Sequence, residues 1–133
     1  MITWDETFSV GVKELDGQHQ KLFEIINRLN NSINAPTNTE KTSEIIKELL
    51  DYSVYHFSTE EKYFEEFNYE HKEAHIKSHN AYKEKIDHFI TDFKDKNGYL
   101  PFEIIEFLTN WWTAHVNGQD KLYVKCFHDH GLS

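Results

Sequence analysis

Four stretches of this chain carry apolar residues at alternating spacings of four and three, and toward one end of each the series gives way to histidine or acid. That spacing lays side chains along one face of an α-helix, so the chain has to bury four such faces together. The first series is Leu15, His19, Leu22, Ile26, Leu29 and Ile33. The second is Ile46, Leu49, Leu50, Ser53, Phe57, Glu60, Phe64 and Phe67, with His56 beside Phe57 and Glu60. The third is His75, His79, Tyr82, Ile86, Phe89 and Phe93, and the fourth is Ile104, Ile105, Leu108, Trp111, Trp112 and His115. The expected fold is all-α: an antiparallel up-down-up-down four-helix bundle with an irregular N-terminal arm and a short C-terminal extension.

Local signals set the expected bounds at about 17–34, 39–67, 70–95 and 101–117. Asp16 is an acceptable N-cap for the first helix, and Ala35-Pro36 stops it. Thr37 and Glu40 have the spacing of a capping box ahead of the second helix. Asn68-Tyr69-Glu70 form the next turn, Asn97-Gly98 closes the third helix, and Pro101 opens the fourth. In the arm, residues 1–16, the side chains of Trp4, Phe8, Val10 and Val12 are expected to lie over the bundle surface. Residues 118–133 bring Leu122, Tyr123 and Phe127 as a short packed extension with a loose end. The 133 residues suffice for one domain, 1–133, with no linker or internal repeat.

Composition removes several classes of function. A net charge of −9 disfavours nucleic acid and anionic membrane surfaces, both of which need a basic face. No run approaches the roughly 18 apolar residues of a membrane span. The N-terminus has no basic-then-apolar signal segment. A single cysteine, Cys126, leaves no internal disulfide, so the expected location is the cytoplasm. Ten Phe, seven Tyr and three Trp supply the burial that a modest aliphatic content lacks.

Up-down-up-down topology decides where the histidines meet. The start of helix one, the end of helix two, the start of helix three and the end of helix four share one end of such a bundle. His19, His56, Glu60, His75, His79 and His115 therefore converge there on the core side, with Asp120 beyond. His115 and Asp120 are five apart, about 140° round an ideal helix. They converge only if the helix loosens between them, and Gly118 is placed to allow it. One histidine on an apolar stripe is more often a hydrogen-bonded core residue than a ligand. Five with two acids at one end point to metal. Imidazole with carboxylate suits iron, copper, nickel, manganese or zinc better than calcium or magnesium. Seven such groups exceed one ion, whereas two ions bridged by the carboxylates give each a sensible coordination number. A site this rich in neutral imidazole favours ferrous iron and reversible oxygen binding over oxidative chemistry.

These motifs, in this order, resemble those of the hemerythrin family, specifically single-domain bacteriohemerythrins. The resemblance covers Trp4, Val10-Gly11, Leu15-Asp16-Gly17-Gln18-His19, Leu22-Phe23 and Ile26-Asn27, then His56-Phe57-Ser58-Thr59-Glu60. It continues through His75-Ile76-Lys77-Ser78-His79 and His115-Val116-Asn117-Gly118-Gln119-Asp120. It implies two iron ions (Fe2+/Fe3+) and a bridging oxo or hydroxo group, with His75, His79 and His115 on one ion. His19 and His56 would hold the other, which keeps a position open for dioxygen, and Glu60 and Asp120 would bridge the pair. His71 is left out of the set, because His75 and His79 continue into the Tyr82 stripe and His71 does not. His71, His88, His128 and His130 are expected on the surface, the last two on a solvated tail. The family commonly has leucine lining the oxygen pocket where this chain has Trp112, so a tighter pocket is expected, with an indole N–H that needs a partner.

The function that follows is reversible dioxygen binding for storage, transport or delivery, without catalysis. Sensing of oxygen, redox state or nitric oxide would need a separate partner protein. A di-iron oxidase, peroxidase or iron-storage role would need a substrate pocket and a spare acid or base, which the core stripes do not offer. Dioxygen is the expected ligand, with an oxygen-using protein as a further partner. The oligomeric state is left open, and a monomer is compatible.

Overall fold

The computed structural model describes residues 2–33, 39–95 and 102–133. Four long helices, α1 (Lys13–Ile33), α2 (Thr39–Glu66), α3 (Lys72–Asp95) and α4 (Phe102–Asn117), form an antiparallel bundle. Two short helices follow, α5 (Gln119–Leu122) and α6 (Val124–Asp129). α1 packs on α2 and α4, and α2 on α3. The four stripes face inward: Leu15, Leu22, Ile26, Leu29, Ile46, Leu49, Phe57, Phe64, Tyr82, Ile86, Ile104, Leu108 and Trp112 are all buried. Among the described residues no helix is long and apolar enough to cross a membrane. The Ala35-Pro36 stop, Thr37, the Asn97-Gly98 turn and Pro101 lie outside the described residues.

α2, α3 and α4 have the expected bounds to within two residues, but α1 starts earlier. Asp16 is not its N-cap. It lies inside the first turns of α1, and its carboxylate turns back to accept the Val10 N–H at 2.8 Å and the Ser9 hydroxyl at 2.6 Å. An acid this close to a helix start meets amide groups that have no intrahelical partner, and here it extends that service to the preceding arm.

The arm is built into the molecule. It carries one 3-10 turn, Glu6–Phe8, and buries Ile2, Phe8, Val10 and Val12, while Trp4 is only half-buried. Phe8 meets Phe23 edge-on at 5.0 Å, and the Asn27 side-chain amide accepts from the Ile2 N–H at 3.0 Å and donates to the Ile2 carbonyl at 2.7 Å. The chain turns at Gly11 with a φ of +69°, where a Cβ would lie 2.9 Å from the His128 ring.

At the same end of the bundle the α2–α3 turn passes through Asn68 at a φ of +50°, a conformation that asparagine tolerates better than most residues. The C-terminal extension is helical to Asp129, and where a loose end was expected the Leu132 N–H is tied back to the Phe127 carbonyl at 2.9 Å. Tyr123 and Phe127 are fully buried against Phe64, whereas Leu122, expected to pack, is 61% exposed. Aromatic rings at positions 123 and 127 are one helical turn apart, and that spacing turns Leu122 outward.

Candidate metal centre

All seven sequence-predicted groups meet at one end of the bundle, and none is more than 5% exposed. His19 comes from α1, His56 and Glu60 from one face of α2, and His75 and His79 from one face of α3. His115 comes from the last turn of α4 and Asp120 from α5. The break between the last two is at Gly118 (φ −105°, ψ −93°), as the 140° mismatch requires. A Cβ on Gly118 would fall 2.7 Å from the Ala114 carbonyl oxygen, so no larger residue fits this turn without movement.

The distances divide the cluster into two overlapping sets. Asp120 Oδ1 lies 3.0 Å from His75 Nε2 and 3.1 Å from His115 Nε2, while Oδ2 lies 3.1 Å from His19 Nε2. Glu60 Oε1 is 3.2 Å from His79 Nε2, 3.4 Å from His56 Nε2 and 3.9 Å from His75 Nε2. One set is Glu60, His75, His79, His115 and Asp120; the other is His19, His56, Glu60 and Asp120. Within each, one donor atom per residue lies within 4.8 Å of all the others. The two carboxylates belong to both.

Hydrogen bonding does not account for this convergence. Nε2 of His75, His79 and His115 and both oxygens of Glu60 and of Asp120 are buried without a hydrogen-bond partner. Nε2 of His19 and His56 face each other at 3.1 Å. Seven such atoms unsatisfied in one place would be costly, unless an ion takes up their lone pairs. Donors about 2.1 Å from a common ion and at right angles would lie about 3 Å apart, which matches the short separations here. The residues present therefore fit a di-iron site.

Burial is the first influence on the charge of these groups. It drives His56 down to about 3, against the opposing pull of Glu60, so its imidazole is neutral and has a lone pair to give. Burial pushes Glu60 and Asp120 up, and the nearby Asp120 carboxylate pushes Glu60 up further. The surrounding imidazoles outweigh these effects, leaving Glu60 below its ordinary value and Asp120 well below. Both carboxyls are therefore ionised at neutral pH.

A second layer holds the ligand rings, and sequence reasoning missed it. Nδ1–H of His79 donates to Glu61 at 2.8 Å, and Nδ1–H of His56 donates to Oε1 of the Gln18 side chain at 2.6 Å. Each contact fixes the tautomer that leaves Nε2 free to face the cluster. His115 Nδ1 has only Ser78 at 3.5 Å, and His19 Nδ1 is buried with no partner. Glu61 and Gln18 sit directly beside Glu60 and His19 in the chain, but a neighbour in sequence gives no hint of which ring it meets. Phe57 stacks on His79 at 3.8 Å, Trp111 on His115 at 4.3 Å, and Tyr123 on His75 at 5.8 Å. Tyr123 also has a buried hydroxyl, pushed well above its ordinary value by burial and then by Glu60 and Asp120.

Trp112 is fully buried, with its ring 5.9 Å from His56 and stacked at 5.6 Å on Phe57. The partner its N–H requires is the Tyr82 hydroxyl at 3.2 Å, itself 3.0 Å from the Ser53 hydroxyl, which donates to the Leu49 carbonyl. The ring thus borders the His19–His56 side of the cluster while its polar atom is taken up elsewhere. His71 is exposed beside Glu70, and His88 is exposed. His128 and His130 are exposed but not on a loose tail: His128 Nε2–H donates to the Gly11 carbonyl at 2.9 Å, and His130 stacks on Phe67 at 4.6 Å.

A four-helix bundle whose core holds histidines and shared carboxylates defines a class of metal-binding helical proteins. A family profile described as the hemerythrin HHE cation binding domain matches residues 10–127, and the chain belongs to the hemerythrin family. It is 31% identical to a bacteriohemerythrin of Clostridium acetobutylicum over 93% of this chain and 99% of that protein. It is 33% identical to a hemerythrin-like protein of Naegleria gruberi over 90% of this chain and 88% of that one. Among solved structures, wild-type hemerythrin superimposes with a TM-score of 0.89 at 26% identity, covering 95% of this chain and 97% of the other.

Proposed function

We propose that the chain binds dioxygen reversibly at a pair of iron ions. His75, His79 and His115 would serve one ion, His19 and His56 the other, with Glu60, Asp120 and an oxo or hydroxo group between them. The observation that carries this reading is the sharing of Glu60 and Asp120 by two donor sets of unequal size, five groups against four. With a bridging oxygen added to both, the smaller set reaches one ligand fewer than the larger. The vacancy therefore falls on the His19–His56 side, next to Trp112.

Two iron ions in the ferrous form would supply the electrons for reversible oxygen binding. The protein's contribution is to keep both carboxylates ionised, the His56 imidazole neutral and the whole cluster away from bulk water. Phe57, Trp111, Trp112 and Tyr123 form much of that dry wall. Beside the seven stand the Tyr123 hydroxyl, which burial holds protonated, and Glu61, whose carboxylate is occupied by His79. Glu61 supports the ligand shell and is not a free acid or base, which favours carriage over catalysis. Delivery, storage and partner-mediated sensing all use this same binding step.

Metal analysis with an oxygen titration tests the reading. The expected result is two irons per chain and, for the anaerobic reduced protein, a charge-transfer absorption on oxygenation that reverses when oxygen is removed. Immediate irreversible oxidation with release of hydrogen peroxide would overturn it in favour of an oxidase.

A further inference from the structure

Asp120 is the one member of the cluster that no long helix holds. α4 ends at Asn117, and α5 is four residues long, closed by a backbone bond from Lys121 N–H to the Gly118 carbonyl at 3.1 Å. The helical ladder that fixes His115 therefore does not extend to its neighbour in the site. Yet the Asp120 carboxylate has the most demanding placement of the seven, with one oxygen toward His75 and His115 and the other toward His19. A rotation of one short turn would spoil both contacts.

What holds that turn is the next residue. The Lys121 ammonium donates to the Thr7 carbonyl at 2.8 Å and, more closely, to the Ser9 carbonyl. Those carbonyls belong to the N-terminal arm, more than 110 residues away in sequence. The arm is itself fastened to α1, through Asp16 to Val10 and Ser9 and through Asn27 to Ile2. The His128–Gly11 bond adds a second tie between arm and extension. Consecutive helical residues point about 100° apart, so a clamp on Lys121 sets the direction of Asp120.

We propose that Lys121 is a positioning residue for the metal pair: by gripping the Thr7 and Ser9 carbonyls it locks α5 so that the Asp120 carboxylate faces both halves of the site. The inference rests on the reading that two metal ions are bound. It gives the arm a function, as a strap whose docking completes the site. Charge-assisted hydrogen bonds of this kind are among the stronger ones, and loss of an outer contact to a ligand typically weakens metal binding by about 10–100-fold.

The test compares wild type with Lys121→Met, Lys121→Arg and Lys125→Met, each loaded with iron and challenged with a chelator. Lys125 is an exposed lysine of the same extension whose contact is Asp129, so it controls for simple loss of charge. Lys121→Met is expected to release iron about 10–100-fold faster and to lose the spectroscopic signature of a coupled pair, while its metal-free helix content matches wild type. Lys121→Arg, which retains N–H donors, is expected to restore most of the retention, and Lys125→Met to behave as wild type. Equal release from Lys121→Met and wild type would overturn the proposal, as would equal loss from Lys125→Met. Loss of helix content in metal-free Lys121→Met would also overturn it, because the role would then be structural. A wild-type chain without paired iron would instead overturn the reading beneath it.

Discussion

Oδ2 of Asp120 lies 3.1 Å from Nε2 of His19, on the opposite carboxylate oxygen from the one that meets His75 and His115. One side chain from a four-residue helix thus spans two groups of ligands drawn from three long helices. Glu60 is the second shared group, and the remaining histidines each belong to one set.

This division predicts different failures for different substitutions. Glu60→Ala and Asp120→Ala should each abolish the coupled pair, since each removes a donor from both sets. His56→Ala should chiefly weaken one ion, leaving close to one iron per chain. Metal content with Mössbauer spectroscopy reads the difference; loss of both irons from His56→Ala would contradict the assignment.

Glu61 should matter for metal retention although it faces no ion. It accepts the His79 Nδ1–H at 2.8 Å and so orients the ring and raises its basicity. Glu61→Ala is expected to weaken binding by about 10–100-fold, and Gln18→Ala to do the same through His56. Competition against a metal-sensitive dye measures both. Unchanged affinity in either variant would reduce that contact to packing.

Trp112 fills space beside His56 and ties its N–H to Tyr82. Trp112→Leu should open the pocket, changing oxygen on- and off-rates and autoxidation, while the cavity costs the metal-free protein about 2 kcal/mol. Stopped-flow mixing and denaturant unfolding separate the two effects. A variant with wild-type oxygen kinetics would show that the indole only packs.

The metal-free protein should lose stability in acid. The His56 value falls from 6.5 to about 3 on folding, so between these the unfolded chain holds a proton that the folded chain refuses. Its contribution is full above 6.5 and declines as pH drops through that window. Glu60 and Asp120, both lowered, contribute above their ordinary values of 4.5 and 3.8 and lose that contribution on further acidification. His79 is raised and acts oppositely, its contribution fading as pH climbs above 6.5. Below pH 6.5 His79 keeps its full contribution, so His56 governs. The thermal midpoint should fall as pH drops from 6.5 to 4 once metal is stripped, with Glu60 and Asp120 adding to the loss at lower pH. A flat profile would mean that water reaches the empty cluster.

Much of this was legible in the chain because helical periodicity is a local property. Apolar residues at four-three spacing have one way to be buried, and short connections force neighbouring helices antiparallel, so His19, His56, Glu60, His75, His79 and His115 had to meet at one end. Asp120 was legible only through the spacing conflict with His115, which required a break where Gly118 stands.

Periodicity says nothing about contacts between groups that are distant in sequence and off the apolar stripes. Glu61 has no assigned contact until α3 places His79 against it, and the partner that the Trp112 N–H requires is identified only when Tyr82 meets it. The arm and extension carry no repeating pattern, so their register depends on single hydrogen bonds: Asp16 to Val10, His128 to Gly11, Lys121 to Thr7 and Ser9. The sequence alone determined the helices and which end of the bundle holds the site. Tertiary structure decided how Asp120 is aimed, because hydrogen bonds across more than 110 residues have no signature in local spacing.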